Sequence, residues 1–155
     1  MPNIPPVVVA GAAGLTQLVL ARGARSGKSA WALGGLVAGA AATLAGSAVT
    51  TFQHVGTTVD PMEVDRAKAL VDRGPFRFTR NPMYLGITGV LLGHAIARRS
   101  VLATLPVAGF MAVMSATQIP REEAALTAKF GSAYTEYLRR VPRWLGPIGE
   151  ASHRQ

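Results

Sequence analysis

The chain contains no cysteine, and negative charge is scarce, since 8 acidic residues stand against 16 lysines and arginines in 155 residues. Without cysteine the protein has no disulfide, no cysteine-held iron–sulfur cluster and no thiolate nucleophile. The three histidines, His54, His94 and His153, are far apart and lack the spacing of metal ligands. We therefore expect neither thiol chemistry nor a metal site.

Charged residues of either sign make up only 15% of the chain, and they leave four long stretches without any. These mostly apolar stretches are residues 4–21, 30–58, 82–97 and 100–120. A membrane-spanning helix needs about 20 apolar residues, with a range of about 17–25. The sequence therefore predicts an all-α polytopic membrane protein with about four transmembrane helices plus cytoplasmic amphipathic helices. A soluble bundle is the alternative, but four uncharged helices leave too little polar surface for it.

The net charge of +8 is explained by the membrane rather than by nucleic acid. The lysines and arginines lie in loops beside the apolar stretches, where they contact anionic headgroups, and no basic stripe is interleaved with aromatic residues. With four spans, eleven of these sixteen residues fall on the side that holds the N-terminus, residues 59–81 and the C-terminal tail. That side is predicted to be cytoplasmic, and the excess of arginine over lysine suggests a bacterial cytoplasmic membrane.

We expect one domain, residues 1–155, in four parts. Two N-terminal spans occupy residues 1–58, and a cytoplasmic connector follows at 59–81. A helical hairpin forms residues 82–120. Cytoplasmic helices in residues 121–155 close the candidate site at the end of that hairpin.

Glycines recur at helical spacing in two of the apolar stretches. Gly35 and Gly39 are four residues apart, which favours close helix packing within the bundle, with homodimerisation as an alternative. Gly86, Gly89 and Gly93 leave one stripe of the third helix without side chains. This stripe predicts either close packing against the fourth span or the approach of a flat group, such as a purine, to bare backbone.

Two polar clusters stand at the ends of the last two apolar stretches. Residues 80–84, Arg-Asn-Pro-Met-Tyr, begin the third stretch, and Arg121-Glu122-Glu123 follows the fourth. Two adjacent spans bring these ends to the same membrane surface. The sequence therefore predicts a site there with guanidinium, amide, phenol and carboxylate groups.

An apolar face continues beyond the second polar cluster. Its residues recur every four positions and are Leu126, Phe130, Tyr134 and Leu138. This pattern predicts one amphipathic cytoplasmic helix or two helices bent at Gly131. The face rests either on the membrane surface or on residues 77–84, and in the second case it acts as a lid.

In combination these motifs resemble the integral-membrane methyltransferases of the isoprenylcysteine carboxyl methyltransferase and phospholipid N-methyltransferase type. The shared pieces, within about residues 70–147, are Gly74-Pro75, the run from Arg80 to Gly86, Arg121-Glu122-Glu123, Phe130-Gly131, Tyr134, Tyr137 and Val141-Pro142. Isoprenylcysteine enzymes typically have histidine at the place of Asn81, and the asparagine form is more similar to the phospholipid branch. The resemblance implies S-adenosylmethionine as donor and a lipophilic acceptor that enters from the bilayer.

The residue set also suits that donor chemically. A planar guanidinium of Arg80 or Arg77 matches its carboxylate, and a glutamate accepts from its ribose hydroxyls or amino group. Aromatic rings stack on adenine or approach the sulfonium, and Asn81 with the backbone near Pro82 suits the adenine edge. The candidate cofactor-binding residues are Arg77, Arg80, Asn81, Pro82, Tyr84, Gly86, His94, Glu122, Glu123, Phe130 and Tyr134.

Arg80, Tyr84 and Glu123 are the candidate catalytic residues. Methyl transfer is an in-line displacement, so alignment of the reactants and exclusion of water are the main tasks. An amine acceptor must in addition lose a proton, which Glu122, Glu123, His94 or Tyr84 is able to take. A carboxylate acceptor needs no base, and the sequence leaves both acceptors open.

Each candidate also has a purely structural interpretation. Arg80 alternatively reaches lipid phosphates, Tyr84 anchors the interface, and the glutamates balance a helix N-terminus. Other side chains are expected to contact headgroups or the interface, namely Arg139, Arg140, Arg143, Trp31 and Trp144. Two other functions compete with methyl transfer: an NADPH-dependent membrane reductase of the sterol or steroid type, and a non-catalytic membrane scaffold.

Overall fold

The computed structural model describes residues 4–56 and 69–145, and the regular elements within these ranges are all helical. The all-α prediction is therefore confirmed for this part of the chain. The helices are α1 (Pro6–Leu20), α2 (Lys28–Val55), α3 (Pro82–Ala97), α4 (Leu105–Val113), α5 (Ile119–Phe130) and α6 (Ser132–Arg140). Residues 59–68 of the predicted connector and residues 146–155 of the predicted C-terminal segment lie outside the described residues.

Helices α4 and α5 belong to one continuous helical stretch, Leu102–Phe130. A 3₁₀ turn, Leu102–Thr104, begins it, and a π-helical turn, Met114–Gln118, lies between α4 and α5. Of the two alternatives left open by the sequence, one helix or two that meet at Gly131, the structure has two, because Gly131 with a φ of 55° ends α5 and precedes α6. Another 3₁₀ turn, Gly74–Arg77, leads the chain back to α3.

Helices α2 and α3 are antiparallel and touch along most of their length. A Cβ atom added at Gly86 would lie 2.6 Å from the Cβ of Ala45, and one at Gly93 would lie 2.8 Å from the Cβ of Ala38. The glycine stripe of α3 is thus filled by alanines of α2, as small-residue helix packing requires. The prediction that this stripe packs on the fourth span is wrong in its partner, and the stripe leaves no room for a purine.

Two helical stretches are long and apolar enough to cross a membrane, α2 and Leu102–Phe130, while α1 and α3 are shorter apolar helices. In the most apolar windows of the two long stretches only 17% and 33% of residues are buried. A core helix of a soluble protein would be mostly buried. Large apolar side chains point outward instead, including Leu15, Leu36 and Leu105, which are 67%, 71% and 60% exposed. This surface suits lipid contact.

Helix α1 is fixed to the bundle by a buried glutamine. The Nε2 of Gln17 donates to the carbonyl of Leu91 at 2.9 Å and to the carbonyl of Ala103 at 2.7 Å. These bonds tie α1 to the second half of α3 and to the start of the next helical stretch. They lie at the end of the bundle where α1 meets Arg98, whose Nη2 donates to the carbonyl of Ala21.

Gly34→Ala should destabilise the protein, whereas Gly35→Ala should not. A Cβ at Gly34 would lie 2.7 Å from both the backbone nitrogen and the Cβ of Ala97 and would collide with the carbonyl of Gly93, while a Cβ at Gly35 meets nothing within 4 Å among the described residues. We expect a loss of about 1–3 kcal/mol for the first variant. Unfolding in detergent measures it. Equal stability of the two variants would contradict the α2–α3 contact.

Candidate functional site

The candidate site is built on the segment that enters α3. The backbone N–H of Arg80 donates to the carbonyl of Pro142 at 2.9 Å. The Oγ1 of Thr79 and the Nδ2 of Asn81 both donate to the carbonyl of Arg143, at 3.1 and 2.9 Å. Thr79 is fully buried and Asn81 nearly so. Residues 142–143 are therefore fixed against residues 79–81.

The carboxylate of Glu123 lies between two guanidinium groups. Arg143 binds it with two donors, Nε to Oε1 at 3.1 Å and Nη2 to Oε2 at 2.6 Å. The Nη1 of Arg80 approaches Oε1 at 3.1 Å, and the side chains of Arg80 and Glu123 are only 14% and 17% exposed. The hydrogen bonds to Glu123 raise the pKa of Arg143. The network joins the start of α3, α5 and the C-terminal segment through charge-assisted bonds.

One hydrogen-bond donor of this network lacks an acceptor. The Nε of Arg80 is buried and has no hydrogen-bond partner among the described residues. A buried donor without an acceptor is costly and uncommon in native proteins. The site therefore offers a free guanidinium N–H to an anionic ligand.

Glu122 lies in different surroundings from its neighbour. Its Oε1 accepts from the Oη of Tyr84 at 2.5 Å and from the Nε2 of Gln118 at 2.9 Å. Tyr84 and Gln118 are 6% and 4% exposed. Gln118 ends the π-helical turn, a local widening of the helix that is frequent at functional sites.

Two buried tyrosines of α6 lie beside the charged network. Tyr134 and Tyr137 are 2% and 3% exposed, and their ring centroids are 5.8 Å apart. Burial, and next the carboxylate of Glu123, raises the pKa of Tyr134 to about 12. The Oη of Tyr137 donates to the carbonyl of Phe76 at 2.8 Å. Leu70 packs against the same tyrosines, so α6 contacts the segment that precedes residues 77–84. That the apolar face acts as a lid on residues 77–84 stays a prediction.

The structure brings most of the predicted residues into one place. Arg80, Asn81, Tyr84, Glu122 and Glu123 are linked through the contacts above. Pro82 is buried as the first residue of α3, Tyr134 flanks the network, and Phe130 packs partly buried against the tyrosine cluster. Arg77 instead is exposed, with no ion pair among the described residues. Of the two arginines predicted from the sequence, Arg80 therefore belongs to this cluster and Arg77 does not.

Two predicted cofactor-binding residues lie elsewhere. Gly86 faces α2, as described above. His94 is ten residues beyond Tyr84 on α3, which is about 15 Å along the helix axis. Its Nδ1 lies 3.2 Å from the Oε1 of Gln17 at the opposite end of the bundle. The prediction that His94 contributes to the polar cluster is wrong, because the rise of the helix separates the two, and His94 lies against a glutamine instead.

Sequence reasoning missed three contributors to the site. Arg143 was expected at headgroups, but Glu123 binds it. Trp144 was expected at the membrane interface, but it packs half-buried against the core and its Nε1 donates to the Oγ of Ser115 at 3.0 Å. Gln118 stood inside an apolar stretch. Its spacing of four residues before Glu122 was the one available signal, since such pairs meet on a helix.

Comparisons with known proteins agree with this picture. A family model described as phospholipid methyltransferase matches residues 29–133, which runs from the start of α2 into α6. A protein of Haemophilus influenzae, described as an uncharacterized protein, is 41% identical over 63 residues, which are 100% of that protein and 41% of this chain. No solved structure matches the chain. Arg80, Tyr84, Glu122 and Glu123 fall inside the family match, whereas α1 and Arg143 fall outside it.

Arg143→Gln should loosen the C-terminal segment, while Arg140→Gln should leave it in place. The first variant removes two short charge-assisted bonds, and hydrogen bonds of this kind contribute about 1.5–3 kcal/mol each. Arg140 is 59% exposed and its carboxylate partners are 3.9 Å away, so its pairs contribute little. Hydrogen exchange of residues 132–141 measures the effect. Unchanged protection in Arg143→Gln would contradict the network.

Proposed function

This chain belongs to the phospholipid methyltransferase family, and we propose that it transfers a methyl group from S-adenosylmethionine to a lipophilic acceptor that reaches the site from the bilayer. The family is one of methyltransferases, which act on lipids at membranes. The observation that carries the proposal is the cluster of Arg80, Glu123, Tyr84 and Glu122, which lies within the family match and has one guanidinium N–H without an acceptor.

The side chains present fit the donor molecule. The Nε–H of Arg80 has no partner among the described residues and is available to the carboxylate of the donor. The Nη1 of the same guanidinium is bound to Glu123, which fixes the position of the group. The carboxylate of Glu123 suits the amino group or ribose hydroxyls of the donor. The ring of Tyr134 offers a π face to adenine or to the sulfonium. Arg143, whose side chain is 34% exposed, supplies a second cation on the same carboxylate.

Methyl transfer at this site needs alignment more than chemical activation. When bound, the donor supplies an electrophilic methyl on a positively charged sulfur; the acceptor's lone pair forms the new bond to carbon as the carbon–sulfur bond breaks. Orientation of two reactants in one site lowers a barrier by about 7–11 kcal/mol. The buried Tyr84 and Tyr134 limit access of water to this place.

We further propose the placement of the site in the membrane. α1, α2, α3 and Leu102–Phe130 act as four spans of one domain, with the site at the cytoplasmic surface of a bacterial inner membrane. α3 has 16 residues, about 24 Å of helix, so it spans with help from the interfacial residues before it. A homodimer, if formed, would use the outer face of α2, where Gly35, Gly39 and Gly46 have open space among the described residues.

Isothermal calorimetry on detergent-purified protein tests the donor. S-adenosylhomocysteine should bind and NADPH should not. Arg80→Gln should weaken S-adenosylhomocysteine by about 10- to 150-fold, since one charge-assisted hydrogen bond is lost and the remaining network is disturbed. Arg77→Gln is the matched control, because that exposed arginine lies three residues earlier and outside the network.

The control should bind like the unaltered protein. Binding of NADPH alone would identify a reductase, and binding of neither nucleotide would favour a scaffold. Equal affinity of Arg80→Gln and Arg77→Gln would place the donor somewhere else in the molecule.

A further inference from the structure

Glu122 and Glu123 are neighbours in sequence, but the partners of Glu123 are cationic and those of Glu122 are neutral. Glu123 is bound by cations on both oxygens, by Arg143 on Oε1 and Oε2 and by Arg80 on Oε1. Both carboxylate oxygens of Glu123 are thus occupied by guanidinium groups, which suits Glu123 to binding rather than to proton transfer.

Glu122 has only neutral partners among the described residues. Tyr84 and Gln118 both donate to its Oε1, which fixes the orientation of the carboxylate. Its Oε2 has no hydrogen-bond partner among the described residues, so one oxygen is held and the other is available. Protonation of Oε2 breaks no ion pair and leaves the hydrogen bonds to Oε1 in place.

The other proton acceptors considered from the sequence are excluded, His94 by its position and the other two by their partners. His94 lies at the opposite end of the bundle beside Gln17. Tyr84 uses its hydroxyl proton to bind Glu122, so it supports that carboxylate rather than competing with it. Glu123 is neutralised by arginines. Glu122 is left as the one group of this set that is both near the donor-binding network and able to change its charge.

We infer that Glu122 is the proton acceptor for an ammonium-bearing lipid, with Tyr84 and Gln118 as the residues that orient it. This rests on the proposed function. The ammonium gives a proton to Oε2 of Glu122 and becomes a neutral amine. The nitrogen lone pair then forms the bond to the methyl carbon as the carbon–sulfur bond breaks, which yields a methylammonium, neutral S-adenosylhomocysteine and protonated Glu122. Release of that proton to water resets the site.

A pair of acceptors that differ in basicity tests this role. Octadecylamine is protonated near neutral pH and needs a base, whereas O-octadecylhydroxylamine is unprotonated there and needs none. In detergent micelles at pH 7, Glu122→Gln should lose about 10²- to 10⁴-fold in methylation of octadecylamine. It should keep methylation of the hydroxylamine within a few fold, because glutamine still accepts from Tyr84 and Gln118.

The pH dependence of the unaltered protein gives a second measurement. Its rate with octadecylamine should level off well below the pKa of that amine, since Glu122 takes the proton. The rate of Glu122→Gln should instead rise through the range in which the free amine loses its proton. An unaltered protein whose rate follows only the ionisation of the free amine would overturn the inference.

Two other results would also overturn it: equal loss on both acceptors in Glu122→Gln, which marks a structural role, and no methylation of either amine by the unaltered protein. Calorimetry with S-adenosylhomocysteine separates these failures from that of the proposed function. If the unaltered protein binds S-adenosylhomocysteine, only the role of Glu122 has failed. If it does not bind, the methyltransferase proposal itself has failed.

Discussion

The ion pairs of Glu123 with Arg80 and Arg143 are the interaction on which the site depends. They join three segments that are distant in sequence: the residues before α3, the start of α5 and the segment after α6. Charges this poorly exposed are stable only when paired and hydrogen-bonded. The bonds that stabilise these segments also bring arginine, carboxylate and tyrosine side chains together, so the same contacts assemble the candidate site.

The helices deliver the network's parts to one end of the bundle. Alanines of α2 fill the glycine stripe of α3, and this contact fixes where the first turn of α3, with Tyr84, emerges. Phe52 near the end of α2 packs edge-on against Phe76, with ring centroids 4.8 Å apart. The π-helical turn then carries Gln118 toward Glu122. Apolar packing between the helices therefore determines where the candidate site lies, and the few polar side chains determine which groups it contains.

Sequence patterns were sufficient to predict the features that depend on residues near one another in the chain. Long uncharged stretches indicated the helices, Gly131 indicated the bend, and the polar residues at the ends of adjacent helices indicated the cluster around Tyr84 and Glu123. Pairing across the fold was harder, because helical spacing shows that a face is bare without showing which helix covers it. The glycine stripe was thus assigned the wrong partner. Arg143 looked like other exposed arginines until the fold placed it on Glu123.

We propose that the Arg80–Glu123–Arg143 network holds the donor, and a structure of the protein with bound S-adenosylhomocysteine is the decisive test. The carboxylate of that ligand should lie within hydrogen-bond distance of the Nε of Arg80, with the nucleoside beside Tyr134. Density for the ligand at the opposite end of the bundle, near His94 and Gln17, or at the outer face of α2 would contradict it.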